Sequence, residues 1–492
     1  MEFAKEITVK HYGNLYIDGM WVAPANAGRK SLINPFTETG FASVVTGGGV
    51  DEVNRAVSAA RRAFRTYSQT TLDERVALID RIIAAYEERA DEIADIIAQE
   101  VGIPVSARAQ TTGPIGHMKV ARDLLKTYHF EKHLADTIVR REPIGVCALI
   151  SPWNWPVQTP VIKAIYGLAA GCTVIMKPSD ASPVSAVILA EIFEKAGVPK
   201  GVFNLIIGRG REVGAAMASH PDVDMVSFTG STQAGAQVAE AAARTIKKVS
   251  LELGGKSANI VLEDADLEKA ARWNIQRCFF NTGQSCHAPS RMLVHESQMD
   301  EVVPYLVDEV GRYRLGDPRD PETTMGPVVN QAQFDSIQRH IQIGINEGAQ
   351  LACGGTGKPD GRNQGFFVKP TVFAGVSPDM TIAREEIFGP VLAVIPYKTE
   401  EQALEIANDS IYGLGGYVFG GDRRKAYAFA SGLRAGRICF NGAATNSLTP
   451  MGGYKQSGIG RSMGSVGLEE YLEIKSVYGF EEEASHLPEF TV

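Results

Sequence analysis

The chain has few cysteines, no run of basic residues and no apolar stretch long enough to span a membrane, and each scarcity removes a class of function. Its six cysteines, Cys147, Cys172, Cys278, Cys286, Cys353 and Cys439, lie far apart without a C-x-x-C pair. Such spacing gives neither a disulfide framework nor a paired-thiol metal or redox motif, so reduced thiols are expected. A free cysteine is ordinarily a small buried hydrophobe, and the count alone marks none of the six as reactive. Basic residues number 49 against 57 acidic ones, a net charge of −8, with no Lys/Arg cluster to neutralise a phosphate backbone. Nucleic acid is therefore not an expected partner. The most apolar run, Ala164 to Met176, is thirteen residues long between Lys163 and Lys177, whereas a membrane helix needs about 20. It reads as a buried element, and no membrane partner is expected. The opening MEFAKEITVK lacks a secretory apolar core and the closing PEFTV matches no retention or peroxisomal address, so a cytoplasmic location is expected. No H-E-x-x-H occurs, and His129 and His133, four apart, read as a helical pair without a third ligand; no metal site is expected.

What is present is an ordinary globular composition, 44% hydrophobic and 22% charged, in a 492-residue chain. At about 150 residues per domain this length suggests two or three domains. Val53, Val57, Ala60 and Phe64 keep helical spacing. Thr71 and Glu74 form a capping-box pattern ahead of Val76, Ile79, Ile83, Tyr86, Ala90, Ile93 and Ile97, which predicts one long amphipathic helix. From Ile144 onward the β-rich runs IGVCALI, CTVIMK, VFNLII, MVSFTG and KVSLEL alternate with helical stretches, the pattern of a doubly wound parallel sheet. Ser182 and Pro183 read as N-cap and first-turn residue of the helix after CTVIMK. Ligands of such sheets bind beyond the carboxyl ends of the strands, which directs attention to the loops starting at Ser151, Lys177, Gly208 and Thr229. A second α/β alternation follows: ANIVL, a helical stretch from Asp266 to Phe280, the strand-like RMLVH and a helix near Met299 to Val310. Gly354 to Gly365 reads as a surface loop.

Three pattern matches fail on inspection. Gly208, Gly210 and Gly214 give G-x-G-x-x-x-G, one residue longer than the dinucleotide fingerprint. The GKS at Gly255 to Ser257 imitates the end of a P-loop, which would need glycine where Ser250 stands. Gly460-Arg461-Ser462-Met463-Gly464 matches the G-x-S-x-G elbow of hydrolases, but KQSGI does not read as the required strand and only His486 follows.

Four other segments carry chemistry: Pro152-Trp153-Asn154-Trp155-Pro156, Leu251-Glu252-Leu253-Gly254-Gly255, Phe279 through Gly283 to Gln284-Ser285-Cys286, and Glu386-Ile387-Phe388-Gly389-Pro390. In this order they resemble the aldehyde dehydrogenase superfamily, in its NAD(P)-dependent hydrolytic form, over nearly the whole chain. The chemistry explains the residue types. Hydride leaves an aldehyde carbon only after a nucleophile has made it tetrahedral, and a cysteine both attacks well and departs from a thioester. The resemblance makes Cys286 that nucleophile, with Asn154 and the Cys286 N–H as donors to the oxyanion. It makes Glu252, flanked by Leu251 and Leu253, the base that activates water. Outside that resemblance Asn154 would read as a turn residue beside Pro156, and Glu252 as a solvated acid at a strand end.

The resemblance further implies cofactor contacts. Ser231 stands where a helix begins, so its hydroxyl and neighbouring N–H groups suit a pyrophosphate, or simply cap the helix. Lys177 and Glu386 look like the two ribose contacts, with Phe388 on the nicotinamide side and Trp153 and Gly210 nearby. Ser151, Ser179, Phe228, Gly230 and Leu253 complete the implied set. NAD-preferring relatives often carry glutamate three residues after the lysine; Asp180 keeps the charge with a shorter reach, which favours NAD and leaves NADP open. Ser462 replaces a glutamate that many relatives place after the arginine, and it cannot act as a base. Trp155, His287 and Met451 are the candidate substrate-pocket residues, Met451 standing where an aromatic is frequent. They leave the identity of the aldehyde open.

By the same resemblance, residues 1–123 and 144–254 form the cofactor domain, 255–455 the catalytic domain, and 124–143 with 456–492 an oligomerisation arm, including a strand near Tyr471 to Phe480 with Glu473 at an interface. A homodimer or homotetramer is expected. Two alternatives stand beside water-dependent oxidation: acyl transfer to coenzyme A, which Glu252 counts against, and a cysteine hydrolase, for which His287 would have to approach Cys286, although in most backbone conformations it points elsewhere.

Overall fold

The computed structural model describes residues 10–479 apart from positions 27 and 47; His486, Phe480 and the remainder of the expected C-terminal arm lie outside the described residues. The five β-rich runs become the strands Val146–Ile150, Thr173–Lys177, Phe203–Leu205, Met225–Thr229 and Lys248–Glu252, all paired in parallel. They are the centre of an eight-stranded sheet. Val146–Ile150 lies in the middle, the next two strands in sequence are laid on one side of it, and Met225–Thr229 and Lys248–Glu252 on the other. The connections reverse direction there, which opens a crevice beyond the end of Val146–Ile150, where ligands of doubly wound sheets bind. A second, seven-stranded sheet of Gln350–Cys353, Thr371–Ala374, Val391–Tyr397, Arg291–His295, Ala258–Val261, Gly415–Phe419 and Arg437–Phe440 is parallel except at its first pair. Leu472–Tyr478, Thr137–Pro143 and Glu131–Leu134 make a small antiparallel sheet. Among the described residues no helix is long and apolar enough to cross a membrane.

Several local expectations are corrected by tertiary contacts. The single long helix is two, Leu72–Glu87 and Ala90–Val101, parted where Arg89 leaves helical geometry (φ −115°, ψ 11°) and pairs with Glu92 and Glu191. The apolar period runs through the break because both helices pack on the helix Val184–Lys195. The Thr71–Glu74 capping box is formed. Ser182 does not cap Val184–Lys195: its hydroxyl has no partner, Pro183 holds the N-cap position, and the buried Glu100 carboxylate accepts from the N–H groups of Val184 (2.5 Å) and Ser185 (3.2 Å). The apolar run 164–176 is the end of the helix Gln158–Ala170 and the strand Thr173–Lys177, joined through Gly171 at φ +91°. His129 and His133 are not a helical pair, since the helix Ala109–Thr127 ends before them and His133 lies in Glu131–Leu134. KQSGI does contain a strand: Gly458–Ile459 pairs antiparallel with Leu251 and Glu252 at the edge of the large sheet.

Candidate active site

The chain reaches the candidate nucleophile through a contorted turn. After the helix Leu267–Phe279, Asn281, Thr282 and Gly283 take φ of +56°, +55° and +73° in succession. A Cβ on Gly283 would stand 2.1 Å from the Gly389 carbonyl, so only glycine lets these segments meet. The Asn154 side-chain amide donates to the Gln284 carbonyl (2.9 Å), and the Asn281 amide donates to the Asn154 carbonyl (2.9 Å). These bonds tie the loop after Val146–Ile150 to the approach to Cys286. One N–H of the Asn154 amide is thereby fixed, and the amide makes no other side-chain hydrogen bond among the described residues. On the opposite side Gly255 carries the glutamate segment past the thiol loop, where a Cβ would meet the Cys286 carbonyl at 2.3 Å.

A cavity of about 590 Å³ results, lined by Cys286, Glu252 and Asn154 together. It also takes in Trp153, Gly230, Ser231, Leu253, Glu386 and Phe388 of the expected cofactor set, and all three expected pocket residues, Trp155, His287 and Met451. Trp155 is stacked between Phe280 (5.9 Å) and His287 (6.1 Å), while Trp153 meets Phe388 edge-on (5.4 Å).

Ser151, Lys177, Ser179, Asp180, Gly210 and Phe228 do not line this cavity. They sit at or beyond the carboxyl ends of the parallel strands. Lys177 ends its strand, bonded to the Pro178 carbonyl and paired with Asp180, each at 2.9 Å. Ser151 lies 3.7 Å from the Met176 sulfur, and the Ser179 hydroxyl accepts from the Ala181 N–H. Gly210 begins a π-helical turn and faces open space, and the Phe228 ring occupies the place a Cβ on Gly230 would need. Ser231 caps the helix Thr232–Ala243, its hydroxyl accepting from the Ala234 N–H.

Electrostatics follow from enclosure. Burial pushes the Glu252 carboxyl up to about 8, opposed by Lys163 and by the Ser462 hydroxyl, which donates to Oε1 at 3.2 Å. Oε2 has no protein partner. Burial pushes Glu386 up to about 7, although the Gly255 N–H donates to it. The Cys286 thiol faces the cavity but is otherwise surrounded by protein, and burial with the Glu386 and Glu252 carboxylates pushes it up to about 12. Ionising it requires a proton acceptor or a change in local charge.

His287 departs from expectation: its Nδ1 lies 4.0 Å from the Cys286 sulfur instead of pointing away. Burial holds the imidazole well below its ordinary range, so it is neutral and provides no imidazolium to stabilise a thiolate. Sequence reasoning missed Lys163, a buried lysine whose ammonium donates to the Ser227 hydroxyl at 2.6 Å and which burial pushes down. Its only signal was a cation flanking an apolar run. Arg277 and Arg437, also in the cavity wall, carried no motif at all.

A family model described as the aldehyde dehydrogenase family matches residues 21–477. A 3-succinoylsemialdehyde-pyridine dehydrogenase from a Pseudomonas species is 49% identical, covering 96% of this chain and 100% of its own. Among solved structures, a cysteine-to-alanine variant of aldehyde dehydrogenase C from Pseudomonas syringae, complexed with NAD+ and octanal, is 48% identical with a TM-score of 0.94, covering 96% of this chain and 98% of its own. A betaine aldehyde dehydrogenase from Staphylococcus aureus in complex with NAD+ is 36% identical with a TM-score of 0.91, covering 96% of this chain and 95% of its own.

Proposed function

The chain belongs to the aldehyde dehydrogenase family and is an oxidoreductase acting on the aldehyde group, and we propose that it uses NAD+ and water to make a carboxylate through a thioester on Cys286. The observation that carries this is the convergence of Cys286, Glu252 and Asn154 on one cavity. Cys286 gives up its thiol proton to Glu252, which passes it on to solvent, its sulfur adds to the carbonyl carbon, and the oxyanion so formed takes hydrogen bonds from the second N–H of the Asn154 amide and the Cys286 N–H. Bound NAD+ supplies the hydride acceptor. Glu252 then removes a proton from the water that attacks the acyl carbon, and Cys286 departs as the thiolate, leaving the carboxylic acid.

The protein offers what a dinucleotide needs. Gly210 opens on space, Ser231 stands at a helix N-terminus, and the buried Thr229 hydroxyl has no protein partner. Lys177 and Asp180 would meet the adenosine ribose, Asp180 repelling a 2′-phosphate, while Glu386, Phe388 and Trp153 would hold the nicotinamide end. Residues 131–143 and 472–478 would serve as an oligomerisation arm, because Leu472–Tyr478 is an exposed edge strand.

A second reading, a cofactor-independent cysteine hydrolase, draws on the 4.0 Å approach of His287 to Cys286. An aldehyde panel with NAD+ and NADP+, followed by nicotinamide absorbance, separates the two. Aldehyde-dependent reduction, stronger with NAD+, is expected; ester cleavage without any reduction would favour the hydrolase.

A further inference from the structure

At the adenosine end of the dinucleotide path stands a cation that neither the aldehyde chemistry nor the ribose contacts use. Lys30 belongs to the strand Arg29–Ile33, which pairs with Gly40–Val45 in a three-stranded sheet separate from the large one. Its side chain is exposed, and its ammonium donates to the Asp180 carbonyl at 2.6 Å across 150 positions of sequence. That bond uses one of the three ammonium protons and leaves two. Among the described residues Lys30 joins no ion pair. The Asp180 carboxylate, by contrast, is already engaged, because the buried Lys177 pairs with it at 2.9 Å. Asp180 thus touches two ammonium groups with one carboxylate, a local balance of one positive charge. An aspartate alone at this place repels a 2′-phosphate; one paired with Lys177 and carrying a second cation on its own carbonyl repels it much less. A lysine ammonium is a compact point charge of the kind that binds phosphate. Holding the loop needs only a hydrogen-bond donor and affects both dinucleotides alike, whereas the charge acts on the one that carries the extra phosphate.

We propose that Lys30 is a specificity-determining residue for the cofactor, its ammonium receiving the 2′-phosphate of NADP+, so that the enzyme uses NADP+ beside the preferred NAD+. This rests on Lys177 and Asp180 meeting the adenosine ribose. The test measures kcat/KM for NAD+ and NADP+ with one saturating aldehyde, using the full chain and the variants Lys30→Gln, Lys30→Arg and Lys177→Met. The wild type is expected to reduce NADP+ more slowly than NAD+ but clearly above an aldehyde-free blank. Lys30→Gln should lower kcat/KM for NADP+ about tenfold, through KM, because a charge-assisted hydrogen bond is lost. Its NAD+ value should stay within about threefold of wild type, which also reports that the variant is folded. Lys30→Arg keeps the charge and should keep the NADP+ activity. Added salt should raise the wild-type KM for NADP+ more steeply than that for NAD+, and Lys30→Gln should narrow the difference. Equal losses with both dinucleotides in Lys30→Gln, or no loss with either, overturn the role of Lys30. A wild type that reduces NAD+ but not NADP+ overturns it as well and leaves aldehyde oxidation standing. Lys177→Met separates the underlying reading: it is expected to raise KM for both dinucleotides, and an unchanged KM for both would remove the ribose placement and the role of Lys30 with it.

Discussion

At the scale of single residues the thiol and the carboxylate can be separated kinetically. Cys286→Ala is expected to abolish aldehyde oxidation while NAD+ still binds by calorimetry; retained oxidation would remove the nucleophile assignment. Glu252→Gln should still form the thioester but lose the base that resolves it. Rapid mixing is then expected to show a burst of about one reduced cofactor per active site, followed by turnover slowed about 10²–10⁴-fold. The raised Glu252 carboxyl sets a pH limb. Below about 8 the group is protonated and cannot accept the proton of water, so deacylation should rise with pH and level off above that value. The Ser462 hydroxyl bond favours the charged form. Ser462→Ala is therefore expected to move the limb to higher pH, and an unshifted pH profile of kcat would show that Ser462 does not tune the base.

Among the elements, the helix Val184–Lys195 gives the clearest case of long-range support. Its first N–H groups are satisfied by Glu100, 84 and 85 positions away, and the neighbouring Ser182 hydroxyl contributes nothing. Glu100→Ala leaves those donors buried and unmet, an expected loss of about 1–3 kcal/mol, whereas Ser182→Ala should change stability by less than about 0.5 kcal/mol. Thermal unfolding of the two variants checks the order; a larger effect at Ser182 would restore the local cap. The strand Lys248–Glu252 makes a related point. Its end residue, the proposed general base, is enclosed because Gly458–Ile459 pairs along its edge and the chain beyond brings Ser462 to the carboxylate.

On the scale of the whole molecule, the small sheet presents Leu472–Tyr478 as an edge with Ile474 (67%) and Tyr478 (78%) exposed beside Glu473. Exposed apolar edge strands invite pairing with a second copy. Light scattering is expected to give a dimer or tetramer for the wild type and a smaller species for Ile474→Glu; a monomeric wild type would remove the arm from assembly. Much of this molecule was legible in its sequence. The five β-rich runs, the Thr71–Glu74 box and the four chemical segments are local patterns, and periodicity and residue type survive whatever the remote chain does. Those patterns determined a doubly wound sheet and the family, and they named the cysteine, glutamate and asparagine that the fold brings to one cavity. Only the tertiary structure decided where a continuous apolar period breaks at Arg89, that Glu100 and not Ser182 caps a helix, that His287 turns toward Cys286, and that Lys163 and Ser462 stand around Glu252. Each of these depends on which distant backbone is packed alongside, and on how far burial raises the cost of a charge, neither of which a local pattern contains.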